Sequence, residues 1–215
     1  MTYLNLVNSV LRRLREDEVT SVTNDTYSKM VGDFVNDAKQ FVESAWDWSA
    51  LRTTLTVTTS ANVFNYVLTG SQNKIKVLHA INDSSNLTMQ YQPQKWFDEQ
   101  YLINTPLSGE PQYYTFNGVN SDGDTQIDIY PKPDAAYTLR FNCIQRNDDL
   151  SANTDDLVIP SQPVIHLAVA LLARERGETG GTSAVEYFGI ADKYLSDAIA
   201  LDAQKHPEDV TWYTP

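Results

Sequence analysis

Three histidines, one cysteine and two acidic loops are the places where this sequence of 215 residues could do chemistry. His79, His166 and His206 lie far apart along the chain, and none has a second ligand beside it at the spacing of a metal site. His166 falls in an apolar run and reads as a core histidine, while His79 alternates with Val77 and Ile81 and suits core or solvent equally. Cys143, within Leu139 to Ile144, reads as a small buried hydrophobe. The loop Asn120-Ser121-Asp122-Gly123-Asp124-Thr125-Gln126-Ile127-Asp128 invites comparison with a calcium-binding loop, which needs glycine at its sixth position and an acid at its twelfth. Counted from Asn120, Gly123 is fourth and Pro131 twelfth; counted from Asp122, Gly123 is second and Pro133 twelfth. The loop is therefore expected to be a β-turn with solvated acids. Asp148, Asp149, Asp155 and Asp156 surround a second polar loop, and paired carboxylates of this kind run glycoside hydrolysis when a cleft raises one pKa. Nothing in the neighbouring sequence builds such a cleft. No Gly-x-Ser-x-Gly, phosphate-binding loop or dinucleotide glycine fingerprint occurs. The residues thus predict no enzyme, no cofactor and no metal.

The elements that hold these residues follow from periodicity. Leu4, Val7, Leu11 and Leu14 stand at helical spacing, which predicts an amphipathic helix from Thr2 to about Arg15. A polar loop, Glu16 to Thr26, ends in the N-cap candidates Asn24 and Asp25. A longer helix follows to about Trp48, with the stripe Tyr27, Val31, Phe34, Ala38, Phe41, Ala45 and Trp48. Strand-forming stretches then run Thr53–Thr59, Phe64–Leu68, Ile75–Ile81, Leu87–Tyr91, Gln112–Phe116, Gln126–Tyr130 and Tyr137–Gln145. The turn formers Asn82 to Asn86 predict a hairpin between the third and fourth. A short helix is expected near Gln94 to Leu102.

The C-terminal part returns to helical patterning. Pro160-Ser161-Gln162-Pro163 suits a first helical turn, and Val164 to Ala173 is apolar at every position but His166, which predicts a fully buried helix. An aspartate in place of Leu171 is expected to unfold such a body. Gly177 supplies a stop, Thr179-Gly180-Gly181 a turn, and Ser183 with Glu186 a capping box. The second arm carries Ala184, Tyr187, Phe188, Ala191, Tyr194, Leu195, Ala198 and Leu201, with Asp192, Lys193, Ser196 and Asp197 facing away. The predicted fold class is α+β: a helical bundle built from residues 1–50 and 159–205, with a mostly antiparallel β domain inserted at 51–158 and an extended tail at 206–215.

Composition narrows the role. A hydrophobic content of 41% and an aromatic content of 11% mark a folded protein. With one cysteine no intramolecular disulfide forms, and an intracellular life is the expectation. The first residues lack the pattern of a signal peptide, and no window is apolar enough for a membrane span. Sixteen Lys and Arg against 28 Asp and Glu give a formal net charge of −12, which offers no footprint for gripping phosphate. Arg12, Arg13 and Arg15 form the one basic cluster, suited to a helix C-terminus or to an acidic partner. Four tryptophans and twelve tyrosines exceed what a small core needs, and such residues are favoured at protein interfaces. Trp212 and Tyr213, in the tail with Pro207 and Val210, have no local core to join and are expected to dock on a partner or a neighbouring subunit.

The N-terminal helix pair ending in Trp46-Asp47-Trp48-Ser49-Ala50-Leu51-Arg52, the β insertion and the C-terminal helical hairpin with its tail resemble the head-to-tail adaptor (connector) proteins of tailed bacteriophages, the tail tubular protein A type. Leu6–Arg15, Trp46–Arg52, Ile159–Glu178 and Tyr187–Asp202 carry the likeness. The resemblance implies a virion structural protein, made in the host cytoplasm, that forms a dodecameric ring beneath the portal. That ring extends the channel for DNA ejection and gives a downstream tail or nozzle protein its platform. It further implies that the helices face the portal protein, that residues 206–215 reach between portal subunits, and that the β domain faces the tail. DNA would pass without specific binding, since an acidic lumen repels phosphate. Contacts to the portal or a neighbouring subunit are assigned by chemistry to Arg12, Arg13, Arg15, Pro207, Val210, Trp212 and Tyr213. The rival readings are a β-sandwich module binding a ligand or carbohydrate on exposed tyrosines, and a hydrolase using Asp122, Asp124 and Asp128.

Overall fold

The computed structural model describes residues 1–72, 74–177 and 182–205, with no account of the side chains of residues 182–184. The chain divides into two compact units: Met1–Leu51 with Asp148–Pro215, and Arg52–Asn147. Among the described residues the first holds four α-helices, α1 (Tyr3–Arg13), α2 (Thr26–Ala45), α4 (Ser161–Glu175) and α5 (Thr182–Ala203). The second holds seven strands and the short helix α3 (Gln94–Asp98).

In the helical unit, Thr2 caps α1 by accepting from the Asn5 amide at 3.4 Å. Asp25 and Ser28 cap α2 reciprocally, with the Ser28 amide 2.7 Å from the Asp25 carboxylate and the Asp25 amide 3.1 Å from the Ser28 hydroxyl. α4 is packed by α1, α2 and α5. Its Val164, Ile165, Ala168, Val169, Ala170, Leu172 and Ala173 are buried, while His166, Leu167 and Leu171 are only half-buried. Leu172, one position on from Leu171, is therefore the core position. The segment Asp148–Ile159 also belongs to this unit and not to the β unit. It straps the helices through Tyr3 N donating to Asp155 O at 2.8 Å and Leu157 N to Met1 O at 2.9 Å. Asn36 reinforces it from α2, exchanging both amide hydrogen bonds with the Leu150 backbone at 3.0 Å. This strap is polar in sequence but sends Leu150, Leu157 and Ile159 inward.

The buried face of α2 differs from the expected stripe. Ser28, Val31, Gly32, Val35, Ala38, Lys39, Val42 and Glu43 face inward, and Phe41 lies 55% exposed. Two features turn the helix. Gly32 leaves room for Tyr3, since a Cβ there would overlap the Tyr3 hydroxyl and lie 2.8 Å from Val22 Cγ1. Lys39 and Glu43, one turn apart, form an ion pair at 3.2 Å with both side chains buried. The helix stops at Ala45, with Trp46 already extended. Trp48, just before the 3-10 turn Ser49–Leu51, is buried and donates Nε1–H to Val42 O at 2.7 Å. The turn expected at Thr179-Gly180-Gly181, the Ser183 capping box, the Ala184 stripe position and the tail 206–215 lie outside the described residues or side chains.

The β unit is one curled seven-stranded sheet in the order β1-β7-β3-β4-β5-β6-β2, not a two-sheet sandwich. The strands are β1 (Arg52–Thr58), β2 (Asn65–Val67), β3 (Ile75–Asn82), β4 (Leu87–Tyr91), β5 (Tyr113–Val119), β6 (Thr125–Tyr130) and β7 (Thr138–Gln145). All neighbours are antiparallel except β4 and β5, whose parallel crossover carries α3 and a π-helical turn, Glu99–Ile103. Val57, Leu68, Ala80, Met89, Tyr114, Ile127, Ile129, Leu139 and Phe141 form the core. A bulge between Val77 and His79 breaks the alternation of β3 and leaves Leu78 and His79 both exposed.

Candidate functional site

Of the residues singled out for chemistry, Asp124 and Asp155 hold turn amides. Asp124 accepts from the Gly70 amide at 3.0 Å and the Gln72 amide at 2.9 Å, and these donors, Gln72 first, hold its carboxyl below the usual range. Asp128 accepts from Asn65 Nδ2 at 2.7 Å, and Asp122 stays exposed. Asp155 accepts from the Ser151 and Ala152 amides at 2.7 and 2.8 Å, Asp149 from Gln40 at 2.8 Å, and Asp156 lies 3.4 Å from the N-terminal amine. Cys143 is buried, and burial pushes its thiol pKa up, away from the reactive thiolate. His166 stacks on Tyr194 with centroids 4.3 Å apart; burial first and the Arg13 charge second push its pKa down. Among the described residues, no three His, Cys, Asp or Glu side chains gather to hold a metal ion, and no helix is long and apolar enough to cross a membrane.

The basic cluster separates into two kinds. Arg12 is engaged by Glu18 at 2.5 Å and Ser9 at 3.0 Å, and Arg13 donates to the Ser9 carbonyl at 2.8 Å. Arg15 is exposed at φ 59, the left-handed position that ends α1. Glu16 N donates to Leu11 O and Arg15 N to Arg12 O, the paired closure of a helix end that glycine normally serves. A neighbouring cavity of about 420 Å³ is lined by Glu16, Asp17, Glu18, Asp25, Tyr27 and Arg176. Its one inward cation, Arg176, bonds Glu16 at 2.8 Å and covers the Tyr27 ring at 5.0 Å. Pro207, Val210, Trp212 and Tyr213 lie outside the described residues.

The larger features are apolar and exposed. On α5, Ala191 is buried, Phe188 lies under Arg174 and Tyr194 stacks on His166, both of α4, while Tyr187, Ile190 and Leu201 stay exposed. Leu201 is 65% exposed there. Tyr187 and Leu201 belong to the expected apolar stripe, and in the structure they lie on its open flank. α5 is fixed at its end by Asp202, which sequence reasoning did not single out, since its partners Trp46 and Ser49 lie far away along the chain. Its carboxylate accepts from Ser49 Oγ at 2.5 Å, Ser49 N at 2.9 Å, Lys205 Nζ at 3.1 Å and Trp46 Nε1 at 3.2 Å. Burial alone would raise its pKa; the Ser49 donors and Lys205 outweigh that and hold it down to about 2.

In the β unit, Leu102 is 80% and Ile103 78% exposed on the π-helical turn, with Leu107 exposed just beyond. The turn is held from beneath by Tyr101, whose hydroxyl donates to Ile129 O at 2.6 Å and whose ring stacks on Phe64 at 4.4 Å. Only the i, i+1 adjacency of Leu102 and Ile103 next to Asn104-Thr105-Pro106 could have flagged this tip in the sequence. Charge is also divided unequally. The helical unit's two segments carry nine Lys and Arg against twenty Asp and Glu, or −11, while Arg52–Asn147 carries seven against eight, or −1.

Open apolar helix surface and one strongly acidic unit suit a protein that works by assembly. A family model described as SU10 adaptor protein matches residues 1–212, so the chain belongs to that family of bacteriophage structural adaptors, components of the virion. Comparison with curated proteins found no match.

Proposed function

We propose that this adaptor works as a head-to-tail connector of the tail tubular protein A type, forming a closed ring beneath the portal. The ring extends the DNA channel and offers its β units to tail or nozzle proteins. The observation that carries this reading is the exposed apolar flank of α5, Tyr187, Ile190 and Leu201. An apolar flank of this kind needs a further neighbour, because α4 covers only part of the helix. Ring closure by rotation joins two different surfaces of each copy, and the exposed Phe41 flank of α2 is a second such surface. Arg15, held outward by its backbone, is the portal-facing cation. The acidic surplus of the helical unit supports a lumen that repels the duplex backbone instead of binding it.

The test is to charge the stripe without touching the core. Ile190→Asp with Leu201→Asp should leave the melting temperature of the free protein close to that of the parent, because both side chains are already exposed. The same variant should fail to form rings on purified portal, as seen by electron microscopy. Rings of normal number and diameter from this variant would refute the role of α5.

A further inference from the structure

β1 is an edge strand without the usual protection. It ends the sheet order and pairs only with β7. The opposite edge, β2, is three residues long and too short to template another strand. β1 runs seven residues, Arg-Thr-Thr-Leu-Thr-Val-Thr, with no proline, no bulge and no lysine. Its ladder fixes which groups point outward. Thr59 N donates to Tyr137 O, so Thr59 sits at a hydrogen-bonded pair. Such pairs alternate along an antiparallel ladder, which puts Thr53, Leu55 and Val57 backbone groups toward β7. Thr54, Thr56 and Thr58 therefore aim their N–H and C=O groups away from the sheet. Among the described residues, no backbone partner meets those three on that side.

The chain beyond Lys205 contains a segment of matching character. Val210-Thr211-Trp212-Tyr213-Thr214 is five consecutive residues of the types that favour strands, bounded by Pro207 and Pro215. Its length equals that of Thr54–Thr58, the stretch carrying the three outward residues. Ten residues after Lys205 reach about 35 Å at most when extended.

We propose that the β1 edge is a strand-addition site that takes Val210–Thr214 of a neighbouring copy of this chain. Backbone hydrogen bonds to Thr54, Thr56 and Thr58 hold the segment, and Trp212 and Tyr213 pack across the threonine-rich faces. The proposal rests on the ring reading in one respect: tail and edge are two different surfaces, the heterologous pair that a closed ring requires.

The test uses a fluorescein-labelled peptide of residues 206–215 and the full chain carrying Thr211→Pro and Tyr213→Pro, which disables its own segment. Fluorescence anisotropy should show saturable binding. Thr56→Pro removes only an outward N–H, so it should keep the melting temperature while weakening the peptide by about tenfold or more, the loss of one or two strand hydrogen bonds. Thr56→Lys serves the same purpose if the proline disturbs folding. The intact chain should exclude the peptide when concentrated and accept it on dilution, as its neighbours dissociate. Absence of binding, equal binding to the Thr56 variants, exclusion at every dilution (the segment then lies on its own chain), or binding to purified portal rings alone would each overturn the proposal. Rings that form on portal without peptide binding would sink this inference and spare the connector reading; peptide binding without rings would do the reverse.

Discussion

Asp202 and Arg15 show how single side chains set what the helical unit presents. Asp202 is the end-clamp of α5, and its folded pKa of about 2 lies below the ordinary 3.8. For a carboxylate depressed on folding, the stabilisation is complete above the unfolded value and is lost as pH falls through the folded one. The clamp should therefore weaken between about pH 4 and pH 2 and contribute about 2 kcal/mol at neutral pH. Asp202→Asn should lower stability by that order in a urea titration at pH 7, and the gap from the parent should close near pH 2. A gap independent of pH would deny the clamp. Arg15→Gly makes the opposite prediction for stability: relief of the left-handed backbone should add about 0.5–1 kcal/mol, while attachment to the portal weakens. An Arg15→Gly variant that attaches normally would remove this residue from the contact.

At the scale of elements, packing of α1 on α2 depends on one absent methyl. Gly32→Ala should cost about 1–3 kcal/mol, the range for overpacking, because Tyr3 has to move. Calorimetry that finds the alanine neutral or stabilising would mean that the two helices do not meet there. In α4, Leu172→Asp should unfold the protein, leaving a buried charge at a cost on the order of several kcal/mol. Leu171→Asp should be tolerated better, since that side chain is half-buried. This pair shows where legibility in the sequence stops. The apolar run Val164–Ala173 announced a buried helix, but a run apolar on all sides cannot reveal which flank stays open. The α2 face was misread for a related reason: aromatic residues marked a stripe, whereas Gly32 and the Lys39–Glu43 pair decided the rotation. Strand positions in the β unit followed from β-branched alternation, the His79 bulge excepted. The strap Asp148–Ile159 could not be assigned to the helical unit, because its contacts are backbone bonds that no side-chain pattern encodes.

At the scale of the molecule, the two units differ in what they offer. One carries nearly all the net charge and the open α5 and α2 stripes; the other is close to neutral and carries the Leu102–Ile103 tip. Within the acidic clusters that looked most like chemistry, Asp124 and Asp155 staple turns, and the exposed apolar residues proposed for assembly are ones whose exposure only the fold reveals. Acidic helical units brought together in many copies repel one another, so the apolar stripes must supply the attraction. The most direct measurement is the mass of the protein with and without purified portal, by native mass spectrometry backed by electron micrographs. The connector account predicts a complex in which this chain forms one closed ring on the portal, near twelve copies as the resemblance implies. A chain that stays monomeric and unattached beside intact portal rings would contradict it.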